Sequence, residues 1–170
     1  MEVILAAATT IDGYIARSQH ESSFDWTSPE DKRFYIDTIK SVDAIIMGST
    51  SFATFTKHPK NTHWYIYTSK PNEFVNPNPS VISAEGTNLP PAELIEKLRT
   101  SGCQRVAVCG GKSIYTQFIQ SGVVTQIYLT IEPYIFGGGI KLFDKPLSKK
   151  LKLQEIVSLS PETIVLKYSL

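Results

Sequence analysis

Short apolar runs alternate with stretches whose apolar positions recur three or four residues apart, and this pattern persists through most of the chain. Residues 2–9 read as a buried strand that ends in Ala6, Ala7 and Ala8. Val42–Met47, Trp64–Tyr67, Arg105–Val108 and Gln126–Tyr134 read the same way, with Ser80–Ser83 as a weaker strand. Continuous apolar runs of this length suit strands covered on both faces. Between them, Ser28-Pro29 opens a helix to about Lys40 with Phe34, Tyr35 and Ile39 inward. Ser28 can cap that helix and Pro29 suits its first position. Ser49-Thr50-Ser51 opens a shorter helix that ends before Pro59, and residues 91–98 form one stopped by Gly102. Ile114/Phe118 and Tyr115/Ile119, each pair four apart, give a fourth helix one apolar face. Residues 151–158 and 162–169 alternate apolar and polar around Ser160-Pro161, which predicts a β-hairpin closing one sheet edge. The fold class expected is α/β in three layers, with a mostly parallel central sheet, helices on both faces and an antiparallel C-terminal hairpin.

The intervening segments read as turns and loops. Residues 10–16 form a turn and a short extended piece, and polar residues 17–25 form a loop that can act as a lid. Residues 71–79 hold three prolines and three asparagines, so they form a turn-rich connection. Gly137-Gly138-Gly139 marks another loop.

Three polar turns follow parallel strands, at Gly48–Ser51, Thr68–Lys70 and Gly110–Ser113. In such a sheet the strand ends share one rim, where ligands bind. Glycine admits close approach to the backbone, and a helix start offers unpaired N–H groups. Gly110-Gly111-Lys112-Ser113 is not a P-loop, because the earlier glycine of that motif is missing. Taken singly, each turn is also explained as a tight connection with no ligand. Together, they point to an extended, phosphate-bearing cofactor.

Composition narrows the classes. A chain of 170 residues, 42% hydrophobic and 19% charged, suits one globular unit over 1–170. A net charge of +1 leaves no field for nucleic acid or an anionic membrane, and no apolar run could span a bilayer. Met1–Leu5 lacks a basic region and reads as an opening strand rather than a signal peptide. With only Cys103 and Cys109 present, the reading is a cytoplasmic protein without a disulfide. His20, His58 and His63 form no metal-ligand pattern with the cysteines, so no metal is expected.

The order and spacing of several motifs resemble dihydrofolate reductase. They are Ala7-Ala8 with Asp12-Gly13-Tyr14-Ile15, Trp26 with Pro29 and Asp31, Ile46-Met47-Gly48, Tyr67-Thr68-Ser69, Val108-Cys109-Gly110-Gly111 with Tyr115 and Phe118, and Ile127-Tyr128-Leu129-Thr130. Thr27-Ser28-Pro29 and Phe136-Gly137-Gly138-Gly139 with Leu142-Phe143 look more like the reductase domain of riboflavin biosynthesis, the RibD C-terminal domain, which shares that fold. The resemblance covers nearly the whole chain.

It implies a reductase that binds NADPH and reduces a C=N-type bond of a small heterocycle. The leading named activity is reduction of 5-amino-6-(5-phosphoribosylamino)uracil. Dihydrofolate reduction is the alternative, and a nucleotide-binding protein without turnover is a third reading. Carried over, Ala7, Cys109, Gly110 and Gly111 would meet the nicotinamide and pyrophosphate, with Lys112, Ser113 and Ile114 starting the helix above them. Gly48, Ser49, Thr50 and Ser51 would hold the other side of the diphosphate. Thr68, Ser69 and Lys70 would meet the adenosine ribose and its 2′-phosphate, although Lys70 also reads as a plain surface lysine. Asp31 matches the buried acid of dihydrofolate reductase, with Thr130 as its partner. Asp31 is equally the third residue after a cap, where an acid satisfies a backbone N–H. Ala6, Trp26 and Tyr35 would line the substrate side, and a homodimer through Leu151–Val157 or Ile164–Leu166 is implied. Two departures stand out. Ser49 occupies a position that is usually basic in dihydrofolate reductase, and Ala6 occupies one that is lysine in the bacterial riboflavin reductase.

Overall fold

The computed structural model describes residues 1–170. Its frame is one sheet of eight strands: β1 (Glu2–Thr10), β3 (Ala44–Gly48), β4 (His63–Tyr67), β5 (Ser83–Thr87), β6 (Arg105–Val108), β7 (Gln126–Glu132), β9 (Lys152–Ser158) and β10 (Ile164–Ser169). They lie in the order β5-β4-β3-β6-β1-β7-β10-β9. The pairs from β5 to β7 are all parallel, and β10 and β9 pair antiparallel. A second small sheet pairs β2 (Tyr14–Ala16) with β8 (Ile140–Lys141).

Period-two alternation along the parallel strands sorts their side chains onto two faces. Val3 and Leu5, Ala44 and Ile46, and Val106 and Val108 share one face. There they meet α3 (Pro91–Thr100) through Leu94, Ile95 and Leu98, and α4 (Lys112–Gln120) through Ile114, Phe118 and Ile119. Ile45 and Met47, Trp64 and Ile66, and Ala107 face the other way. That side is covered by α1 (Pro29–Lys40) through Ile39 and by α2 (Ser49–Ala53) through Phe52. The result is the three-layer α/β arrangement with an antiparallel C-terminal edge that the pattern predicts.

Two expectations shift. The edge strand expected at Ser80–Ser83 forms at Ser83–Thr87 instead. Pairing with β4 decides this, since Trp64 to Tyr67 align with Ala84 to Thr87 despite the poor strand propensity of Ala, Glu and Gly. Gly86 is needed there, because a Cβ would lie 2.6 Å from the Pro71 carbonyl oxygen. Of the two segments proposed to pair between subunits, Ile164–Leu166 is interior, with β7 on one side and β9 on the other. Of the two, the Leu151–Val157 segment carries the edge, as β9 ends the sheet with Leu153 and Ile156 exposed.

Candidate active site

A cleft of about 340 Å³ opens at the carboxyl ends of β1, β3, β6 and β7. Its floor is Ala6, Ala7 and Ala8, whose small side chains leave the strand end uncovered.

On one side lie the two glycine turns, and they touch. The Gly48 N–H donates to the Gly110 carbonyl at 2.7 Å. A Cβ on Gly48 would sit 3.2 Å from Ile114 Cγ1, and one on Gly111 only 2.8 Å from Ser51 Oγ. Gly110 has φ +104°, and a Cβ there would lie 2.9 Å from the Tyr115 hydroxyl oxygen. That hydroxyl is itself fixed, donating to the Ala6 carbonyl at 2.7 Å. The Gly110–Gly111 peptide bond is cis. Neither α2 nor α4 has a side-chain cap, so their first N–H groups face the cleft with no internal partner. Gly48, Ser49, Thr50, Ser51, Gly110, Gly111, Lys112, Ser113 and Ile114 all line this side. A cradle closed to side chains, with N–H and hydroxyl donors around it, fits the diphosphate of a nicotinamide dinucleotide.

The opposite side is set by α1. Asp31, Phe34, Tyr35 and Thr38 follow the i, i+3, i+4, i+7 spacing and all face the cleft. Ser28 caps the helix, its Oγ accepting from the Asp31 N–H at 3.1 Å. In a capping box the acid at Asp31 would accept the Ser28 N–H in return. Here that N–H donates instead to Glu132 Oε1 at 2.9 Å, and Ser28 Oγ donates to the same oxygen at 2.8 Å. Thr163, in the β9–β10 hairpin, donates to Glu132 Oε2 at 3.0 Å. Glu132 is fully buried at 0% exposure. The capping alternative for the Asp31 carboxyl is therefore taken by a residue 101 positions later in the chain (132 − 31).

Relieved of that role, the Asp31 carboxyl is buried in the cleft wall. Burial raises its pKa above the ordinary aspartate value, and the Thr130 and Thr27 hydroxyls pull it back. Thr130 gives the larger pull, and Thr27 Oγ1 has no hydrogen-bond partner of ordinary geometry. The Glu132 charge raises the pKa further. Such a carboxyl can hold a proton to higher pH than an exposed one and offer it to a basic nitrogen.

Ala6, Ala7, Tyr35, Cys109 and Thr130 share this cleft. Burial pushes the Cys109 thiol up to about 12, so it is no thiolate nucleophile. The Tyr35 hydroxyl is buried beside it without a hydrogen-bond partner, and burial holds its pKa well above the ordinary value. Trp26 is not on the cleft wall. It follows the 3₁₀ turn Ser23–Asp25 and packs edge-on against Tyr134 and Phe136, at 6.1 and 5.1 Å. Thr68, Ser69 and Lys70 also lie off the wall, after β4, one strand beyond Gly48 on the same rim. Lys70 is exposed and paired with Glu73 at 2.9 Å. Asp12, in the Asp-Gly pair, is structural: it accepts from Thr10 Oγ1 and from the Phe136 and Gly137 N–H groups, which pins the 134–139 loop. Those bonds, led by Thr10, lower its pKa.

Sequence reasoning missed Glu132, and with it the aromatic residues Phe24, Phe55 and Tyr128 of the wall. A signal for Glu132 existed. Thr130 and Glu132 stand two apart on one strand, so the acid shares the buried face of the threonine.

The family model described as the RibD C-terminal domain matches residues 1–165. The YyaP protein of Bacillus subtilis (strain 168) is 28% identical over 151 residues, covering 83% of this chain and 79% of its own. A putative riboflavin biosynthesis protein from Shewanella sp. PV-4 has a similar fold, with a TM-score of 0.80 at 18% identity, over 99% of this chain and 98% of that one. A diaminohydroxyphosphoribosylaminopyrimidine deaminase/5-amino-6-(5-phosphoribosylamino)uracil reductase from Thermotoga maritima matches with a TM-score of 0.77 at 16% identity. That match covers 99% of this chain and 56% of the Thermotoga chain.

Proposed function

The chain belongs to the RibD C-terminal domain family, and we propose that it is an NADPH-dependent reductase acting on an imine-like carbon of an aminopyrimidine or pterin-like ring. The observation that carries this reading is the Gly48–Gly110 contact between two uncapped helix starts, which leaves room for a dinucleotide backbone and for no side chain. NADPH, when bound, supplies the hydride.

The residues of the chain bind, orient and protonate. The N–H groups after Gly48 and Gly111, with Ser49, Thr50, Ser51 and Ser113, would hold the diphosphate, and Lys112 adds positive charge beside it. Lys70 lies where the rim continues toward β4 and would meet the 2′-phosphate, its exposed pair with Glu73 being worth little to break. Ala6 and Ala7 leave a flat ring room above the sheet. Asp31, with Thr130 beside it, would donate a proton to the ring nitrogen next to the reduced carbon. The buried position of Asp31 also favours the dihydropterin variant of this chemistry, since one carboxyl can bridge two nitrogens of an amidine-like edge. Assembly as a homodimer through the free edge of β9 is part of the proposal.

The test is a fluorescence titration with NADPH and NADH, with Lys70→Ala alongside. Tighter binding of NADPH, reduced about tenfold in the variant, is the expected result for one phosphate-cation contact. If neither nucleotide binds, the glycine contact is purely structural and the reductase reading fails. If NADPH binds but no heterocycle is turned over, the chain is a nucleotide-binding protein of this fold.

A further inference from the structure

At the start of α1, one N–H has two carboxyls that could accept it. The Ser28 N–H goes to Glu132 Oε1 at 2.9 Å. Asp31 stands at the third position after the cap, where the acid of a capping box accepts that same N–H. The arrangement found adds a buried charge. Glu132 is fully buried, and no cation pairs with it. A cap made by Asp31 would need no second carboxylate in the interior, where each one is costly to bury. Capping alone therefore does not account for Glu132.

The closing hairpin fixes the other end of this carboxylate. The buried Thr163 hydroxyl donates to Glu132 Oε2 at 3.0 Å. Thr163 is itself held by the turn between β9 and β10. Its carbonyl accepts from the Leu159 N–H at 2.9 Å, and its N–H donates to Ser160 Oγ at 3.1 Å. Glu132 is thus clamped between the hairpin and the α1 start. Neither Ser28, Glu132 nor Thr163 lines the cleft, so all three can act on a ligand only through Asp31.

Few titratable groups face Asp31. Lys32, beside it on α1, favours its charged form, and Glu132 on β7 disfavours it. Tyr35 on α1 and Tyr115 on α4 feel its charge and stay neutral, since burial above all holds their hydroxyls well above the ordinary tyrosine value. Elsewhere on the lining, Glu21 is paired with Arg17 and Cys109 is a neutral thiol.

Building on the reductase reading, we infer that Glu132 and Thr163 are positioning residues for the acid: through them the closing hairpin keeps the Ser28 N–H occupied, which leaves the Asp31 carboxyl to the cleft. Released from Glu132, that N–H would turn to Asp31 and draw the carboxyl back onto its own helix. The Glu132 charge acts in the same direction, because it favours the proton on Asp31.

Side-chain carboxyl titration by NMR tests this on the full chain with isotope-labelled aspartate. Asp31→Asn assigns the signal, and the Ser28 amide is followed alongside. In the parent chain, the Asp31 midpoint should lie above the ordinary aspartate value and the Ser28 amide should not follow it. In Glu132→Ala the midpoint should fall and the Ser28 amide should titrate with it, because the capping box closes. Glu132→Gln and Thr163→Val cover the case in which the alanine variant does not fold. Each should lower the Asp31 midpoint, the first by removing the charge and the second by loosening the carboxylate. NADPH affinity, read by fluorescence, should stay within about twofold in both. An Asp31 midpoint unmoved in the folded variants would overturn the inference, as would a Ser28 amide that already follows Asp31 in the parent. So would a larger loss of NADPH affinity, since it would show the whole cleft disturbed rather than the acid. The titrations need no nucleotide. The expected shifts in a chain that never binds NADPH would uphold the positioning role and sink only the reductase reading.

Discussion

The two sides of the cleft are built by opposite means. On the glycine side, backbone meets backbone: Gly48 and Gly110 touch directly, and the groups offered to a ligand are N–H and hydroxyl donors on two adjacent turns. The α1 side depends on a carboxylate buried far away in sequence, Glu132, which takes over the helix cap and leaves Asp31 to face the cleft. The first side tolerates no added atoms. The second tolerates no loss of the Glu132 acceptor. Removing a side chain should therefore do little to the glycine side and much to the α1 side, and adding one should do the reverse.

Gly110→Val gives the sharpest break on the glycine side. It forces a branched residue to φ +104° with its Cβ against the Tyr115 hydroxyl. We expect a loss of about 4 kcal/mol, combining backbone strain and overpacking. A melting experiment should show Tm about 10 °C lower for a chain of this size; a drop of a degree or two would mean the turn has room that the contacts deny.

Glu132→Ala is the counterpart on the α1 side. It leaves the Ser28 and Thr163 donors unpaired in the interior, at a cost of about 3 kcal/mol. Glu132→Gln keeps the shape and one acceptor, so about 1 kcal/mol is expected. Equal urea midpoints for the two variants would show that packing, rather than the acceptor pair, holds the α1 start.

Asp31→Asn separates chemistry from stability. Turnover should fall about a hundredfold, because the amide has no proton to give. Stability should not fall. With its pKa raised above 3.8, the folded chain keeps the Asp31 proton where the unfolded chain has lost it. Its contribution therefore favours the fold at low pH and fades as pH rises through the folded pKa. The variant should show a flatter stability curve between about pH 4 and pH 7. A large stability loss at neutral pH would instead make Asp31 a helix cap.

The smallest effect belongs to Tyr35→Phe. It removes a buried hydroxyl that has no hydrogen-bond partner. Stability should stay level or rise by up to about 1 kcal/mol, read from urea unfolding. A loss of more than that would reveal a hydrogen bond to Cys109 that its thiol supports in solution.

Legibility in the sequence follows the same division. Ser28, Pro29 and the spacing to Asp31 identify the α1 start correctly, because a cap is decided within four residues. Ile114, Phe118 and Ile119 were legible for the same reason, as helical faces repeat locally. Trp26 was not. Its aromatic character suited a binding wall, but its partners Tyr134 and Phe136 arrive from a loop that Asp12 pins in place. The edge strand was misplaced because β5 owes its position to pairing with β4 and to Gly86 beneath Pro71, and not to its own propensity.

By itself, the sequence determined the order of strands and helices, the parallel sheet with its antiparallel finish, and the glycine and hydroxyl turns at the strand ends. Each of these rests on periodicity or turn chemistry that acts over a few residues. Only the tertiary structure decided what Asp31 is free to do and which rings surround it. Those outcomes depend on Glu132 and Thr163 reaching Ser28, and on Phe24, Tyr35 and Phe55 meeting. A buried carboxylate must find its donors somewhere, but which donors it finds is settled by the packing of β7 against the closing hairpin and the start of α1.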